Sequence, residues 1–112
     1  MRYRVVLVPF PFDDLSGTKV RPAVCLTDAV GEHRHVVLVF ITSAVPPDIE
    51  PTDLLLEPGS PDVARWGIKV SSALPLHRRV AVSATIIQRQ LGVLTPGLQA
   101  QVQQRLRTLF AL

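Results

Sequence analysis

The stretch VPFPFDDLSGTKVRP, Val8–Pro22, follows an apolar run from Val5 to Val8 and opens directly into another from Ala23 to Leu26. Both flanking runs are short and rich in β-branched residues, which predicts two strands. A tight hairpin joins its strands with about two to five residues. The connection here is much longer, with two prolines, two phenylalanines and a Ser-Gly turn before Lys19 and Arg21. Long loops anchored by proline on a β scaffold are frequent carriers of function, so a candidate site is expected at this loop.

Outward from this loop the pattern repeats. Val36–Ile41 is a third strand, separated from the second by a turn-rich connection, Ala29–His35, that contains Gly31. Pro46-Pro47-Asp48-Ile49-Glu50-Pro51 cannot be helical and is expected as extended loop. Leu54–Leu56, Val70–Leu76 and Val80–Val82 are further strand candidates, while Ala84–Val93 is ambiguous between strand and helix. Many short strands at short spacing predict a small barrel. Thr95 is then an N-cap and Pro96 a first helical residue. Leu98, Val102, Leu106, Leu109 and Phe110 recur at helical spacing, giving a C-terminal amphipathic helix that packs on the barrel. At 112 residues, 47% of them hydrophobic, the chain is expected to be one domain over 1–112 with a single core.

Charge is strongly segregated. Five basic and nine acidic residues lie up to Asp62, and after it come seven basic residues and no acidic one. A basic half of this kind suits a polyanion, whose counterions are released on binding, or an acidic protein partner. No apolar run reaches the roughly 18 residues of a membrane span and no secretory signal opens the chain, so a cytoplasmic location with no membrane partner is expected. Cys25 is alone and sits in a strand, where it is expected as a buried small hydrophobe. His33, His35 and His77 have no metal-ligand spacing, and the adjacent Asp13-Asp14 pair reads as solvated loop. No metal and no cofactor is expected.

Arg21 opens the second strand, and Thr42 and Ser43 close the third. If these strands pair across Ala29–His35, Arg21 and Thr42 fall at the same end of the sheet, within reach of one phosphate. Arginine offers a planar fork of donors to a phosphate and threonine a hydroxyl. Ser16, Gly17 and Lys19 are candidate phosphate contacts in the loop. Phe10 and Phe12 either stack bases or fill the barrel mouth, and the same choice applies to Trp66, as base stacker or as core or dimer interface. Arg78 and Arg79 are the distant candidates for substrate phosphates.

Val-Pro-Phe-Pro-Phe, the Asp-Leu-Ser-Gly segment and Arg21-Pro22, all set between two strands, resemble the MazF/PemK toxins of bacterial toxin–antitoxin pairs. Phe40-Ile41-Thr42-Ser43 is similar to that family's Ile-Thr-Ser segment. Trp66–Ser71 is similar to its Gly-Leu-x-x-Pro-Ser segment without the proline, and Leu91–Thr95 leads into the terminal helix as in the family. The chain departs from the pattern at Tyr3-Arg4, where Gly-Asp is usual, at Val20, and at Ala81–Ala84, which replaces a Thr-Val-Asp-Lys/Arg type segment. The resemblance implies a mainly β fold, an SH3-like small barrel of the MazF/CcdB type with a C-terminal helix. It further implies a homodimer that cleaves single-stranded RNA at specific sequences without metal, leaving 2′,3′-cyclic phosphate and 5′-hydroxyl ends. Arg21 and Thr42 map onto the family's catalytic pair, and the implied protein partner is a cognate antitoxin with an acidic disordered tail. A DNA gyrase poison like CcdB, which shares the fold and cuts nothing, and a catalytically inactive RNA binder are the alternatives.

Overall fold

A computed structural model describes residues 1–10 and 19–112. The expected contacts at Phe12, Ser16 and Gly17 lie outside the described residues, as does the Asp13-Asp14 pair. Among the described residues, seven strands and one long helix follow in the order β1 (Arg4–Pro9), β2 (Val20–Cys25), β3 (His35–Phe40), β4 (Asp53–Leu56), β5 (Ser72–Pro75), β6 (Arg79–Ser83), β7 (Arg89–Val93) and α1 (Pro96–Phe110). Single 3-10 turns at Ala64–Trp66 and Ala84–Ile86 precede β5 and β7. The mainly β class with a C-terminal helix is therefore as expected.

The five-stranded sheet has the order β6-β3-β2-β1-β7, and β4 and β5 form a separate pair. All the pairings are antiparallel. The two outer strands of the large sheet, β6 and β7, are consecutive in the chain. Their short link is tied down at both ends, with Ala84 N donating to Arg34 O (2.9 Å) and Gln88 N donating to Leu7 O (2.9 Å). Joining opposite edges through so short a link requires the sheet to curl, in the sense its twist already favours. Among the described residues no ring of strands closes. The small sheet is instead attached through an isolated bridge between Thr42 and Ala73.

Alternation along the strands sends side chains to two apolar clusters. One face gives Val5, Val24, Val39 and Ile41 to a core completed by Leu54, Leu56, Trp66, Leu74, Leu76 and the helix residues Leu98 and Val102. The other face buries Val6, Val8, Ala23, Cys25, Val36, Leu38 and Phe40 under Phe10, Val80, Val82 and Ile87. Thr95 caps α1 as expected, its side chain accepting from Leu98 N at 3.3 Å, with Pro96 in the first turn. Phe110 departs from the expected stripe. It is half exposed, and the Arg79 guanidinium lies 4.5 Å from its ring centre.

Burial disposes of Cys25. Its side chain is fully enclosed and burial pushes the thiol up to about 11, a shift only partly offset by the N-terminal ammonium and Arg4. A soluble thiol reagent is therefore expected to leave the native protein unlabelled over a period in which urea-unfolded protein reacts completely. Rapid labelling of the folded protein would contradict this burial.

Candidate active site

The β2–β3 pairing sets Ala23 opposite Phe40, Val24 opposite Val39 and Cys25 opposite Leu38. Beyond the strand pair, Ile41 N donates to Pro22 O at 2.9 Å, and the next step of that register brings Thr42 opposite Arg21. Opposed residues of an antiparallel pair share a face. Arg21 and Thr42 accordingly line the same pocket, a cavity of about 380 Å³ that also takes in Phe10, Phe40, Pro75, Arg78 and Arg79. Arg21 and Thr42 thus meet at one end of the sheet, and Arg78 and Arg79, the distant candidates, line the same cavity.

Local structure fixes each of these groups. Phe10 directly follows β1, and its N–H donates to Lys19 O at 3.0 Å, clamping the two stems of the long loop. Its ring meets Phe40 edge-on, with centroids 4.9 Å apart, and the Arg21 guanidinium sits 4.4 Å from its centre. A cation over a ring face gains electrostatic attraction and loses freedom to turn. Phe10 is therefore a shelf for Arg21. Thr42 is held by reciprocal backbone bonds with Ala73, of 2.9 and 2.8 Å. Its Oγ1 accepts from Ala44 N at 3.1 Å, so the hydroxyl proton stays available to a ligand oxygen.

Arg78 arrives on the turn between β5 and β6, and Arg79 opens β6. Arg78 N donates to Pro75 O at 2.9 Å, while Arg79 Nη1 donates to Leu76 O at 3.0 Å. Arg79 is thus partly committed to the fold through Leu76 and Phe110, and Arg78 has the freer side chain of the two. Beneath this turn lies a pair that sequence reading missed. The Asp53 carboxylate is buried; Oδ2 accepts from Glu50 N at 2.9 Å, and Oδ1 has no hydrogen-bond partner but lies 3.6 Å from His77 Nδ1. Arg105 Nε donates to Asp53 O at 3.1 Å, linking the helix to the same point. The separation of 24 residues between Asp53 and His77 left no local pattern to find.

Lys19 and Ser43 are exposed and border a second cavity rather than the first. Trp66 is neither exposed nor placed to stack a base in the first pocket; it is 4% exposed and belongs to the core. The sequence offered Phe10 two roles, and its ring sits with the buried cluster while supporting Arg21. Phe10→Leu is expected to keep the fold while lowering turnover about tenfold, with Phe10→Tyr restoring it, as read from kcat and KM separately. A leucine variant that turns over at the wild-type rate would show that the shelf does no positioning.

The described lining of the first pocket carries three guanidinium groups, one hydroxyl and no carboxylate, around an apolar wall. Such a set can bind a phosphate from several sides and place a hydrogen-bond donor on it. Among the described residues no three His, Cys, Asp or Glu side chains gather as a cation site would need. No helix among them is long and apolar enough to cross a membrane.

The fold is similar to that of Mycobacterium tuberculosis toxin MazF-mt6, with a TM-score of 0.72 at 18% identity, covering 97% of each chain. It is also similar to an endoribonuclease in complex with its cognate antitoxin from a mycobacterial species, with a TM-score of 0.69 at 16% identity, covering 100% of this chain and 95% of that one. A further mycobacterial endoribonuclease matches with a TM-score of 0.65 at 18% identity, over 100% of this chain and 91% of the other. No curated protein matches the sequence. The family model for PemK-like, MazF-like toxins of type II toxin–antitoxin systems matches residues 1–110. The chain belongs to that family of PemK-like, MazF-like toxins.

Proposed function

We propose that this toxin is an endoribonuclease that cleaves single-stranded RNA at the Arg21–Thr42 pocket without a metal ion. The observation that carries the reading is the convergence of Arg21, Thr42 and Arg78 on one cavity with no carboxylate among its described lining. Two of the similar structures are endoribonucleases, one of them bound to its antitoxin, which supports the same activity and a cognate antitoxin for this chain.

The chemistry needs little besides charge. The ribose 2′-oxygen forms a bond to the adjacent phosphorus as the bond from phosphorus to O5′ breaks, leaving a 2′,3′-cyclic phosphate and a 5′-hydroxyl. The 2′ proton passes to solvent and the departing O5′ takes one from solvent, since a guanidinium is far too weak an acid to release its own. Arg21, steadied over Phe10, binds the non-bridging oxygens and stabilises the extra negative charge of the phosphorane. The Thr42 hydroxyl donates to the same group. Arg78 neutralises a neighbouring phosphate. The protein acts as a homodimer and is silenced when the acidic tail of its antitoxin occupies this basic cavity.

Incubation of a long single-stranded RNA with antitoxin-free protein in excess EDTA tests the reading. Discrete cuts bearing 5′-hydroxyl ends are expected. Intact RNA, alongside inhibition of DNA gyrase supercoiling by the same sample, would replace this function with gyrase poisoning.

A further inference from the structure

The end of the sheet at Arg21 is a ridge between two cavities. Thr42 faces the first pocket and Ser43 the second, as alternation at a strand end requires, and Arg21 borders both. The second cavity measures about 530 Å³. Its floor is apolar, lined by Leu7, Pro22, Ile41, Ile68, Leu91 and Trp66. Lys19, Lys69 and Arg89 stand around it, from three separated segments, and no acidic residue is among its described lining. An apolar floor with a cationic rim matches a nucleotide, whose base has an apolar face and whose phosphate is anionic.

The reaction proposed above gives this second cavity a reason. In-line displacement needs the 2′-oxygen, phosphorus and O5′ nearly collinear, a geometry that a stacked A-form strand does not provide. The two nucleotides flanking the scissile phosphate must therefore unstack and splay apart. A phosphate clamped on the ridge sends its two neighbours to opposite sides. Resting on that reading, we infer that the second cavity is the subsite for one of these two nucleotides, its base on the Trp66–Leu91 floor and its outer phosphate held by Lys69 and Arg89.

The test uses a short RNA spanning a mapped cut site, and two versions truncated just beyond the scissile linkage on either side. The variant is Lys69→Ala with Arg89→Ala; both side chains are exposed, and thermal melting checks that the fold is kept. On the full oligonucleotide the variant is expected to raise KM about tenfold with kcat nearly unchanged. It should also become indifferent to truncation on one side while remaining sensitive on the other. A wild-type KM, or equal sensitivity to both truncations, would overturn the subsite. Binding of the same RNA with a 2′-O-methyl group at the cut site, followed by fluorescence anisotropy, reads the cavity without chemistry. If the wild type binds a single-stranded RNA that it never cuts, and the variant binds that RNA about tenfold more weakly, the subsite stands and the catalytic reading fails. If the variant loses affinity for a polyglutamate peptide and keeps its affinity for RNA, the cavity holds a protein segment and the inference fails.

Discussion

Arg21→Ala is expected to reduce kcat/KM for RNA cleavage by at least about a thousandfold while leaving the protein folded. Removing one preorganised donor to a developing oxyanion costs about a hundred- to a thousandfold, and losing an arginine that stabilises a phosphoryl transition state about a thousand- to a hundred-thousandfold. Arg21 does both jobs in this pocket, and the described lining offers no group that could substitute from the same position. Arg78 and Arg79 approach from the β5–β6 turn and the start of β6, and Arg79 is already engaged with Leu76 O and the Phe110 ring. The fold should tolerate the change because Arg21 is only half buried, at the start of its strand. Its contact with Phe10 contributes about 0.5–1 kcal/mol at a site of this exposure. Arg21→Lys keeps the charge but loses the planar fork, so only a small part of the activity should return. Circular dichroism and a melting curve on the same preparations separate lost chemistry from lost structure.

Trp66→Ala is expected to be the most damaging single truncation for stability, by about 3–5 kcal/mol. That is a large share of the roughly 5–15 kcal/mol that holds a typical domain together. The indole is buried at the end of the turn Ala64–Trp66, which Gly67 terminates with a left-handed φ of 77°. It lies so close under β7 that a Cβ on Gly92 would stand 2.9 Å from its Cδ1. The strand and the ring therefore fit only as glycine against tryptophan. Gly92→Ala should itself destabilise, and Trp66→Leu should be milder when combined with it, because the smaller side chain vacates the space the new methyl needs. Urea titration of the three variants measures this coupling. A cost below about 1 kcal/mol for Trp66→Ala would mean that the ring is not the keystone of this core.

The strands that could be read from sequence are those whose signal is local. Val5–Val8, Ala23–Leu26 and Val36–Ile41 lie within one to three residues of the observed β1, β2 and β3, because short β-branched runs bounded by turns leave little choice. β5 is shorter than the expected Val70–Leu76, beginning at Ser72 and ending at Pro75. Ala84–Val93 was ambiguous for a physical reason. It holds a 3-10 turn and then a strand whose register against β1 slips between Val5 and Val6, so neither a helical nor an alternating period runs through it.

The pairing of Arg21 with Thr42 was legible because an antiparallel connection fixes which ends meet. Phe10 was not, since whether an aromatic at a strand end fills a core, stacks a base or carries a cation depends on what lies across from it. The second cavity and the Asp53–His77 pair depend on segments far apart in the chain. No spacing in the sequence announces them.

The central claim is that the 2′-hydroxyl of the RNA, activated on the Arg21–Thr42 ridge, is the nucleophile. A single 2′-deoxy substitution at the mapped cut site of an otherwise unchanged RNA tests it most directly, with cleavage measured in EDTA. Cutting at that linkage is expected to disappear while the oligonucleotide still binds and competes with uncut RNA. Continued cutting at the deoxy linkage would contradict the account, because the attacking oxygen would then have to come from water or from the protein.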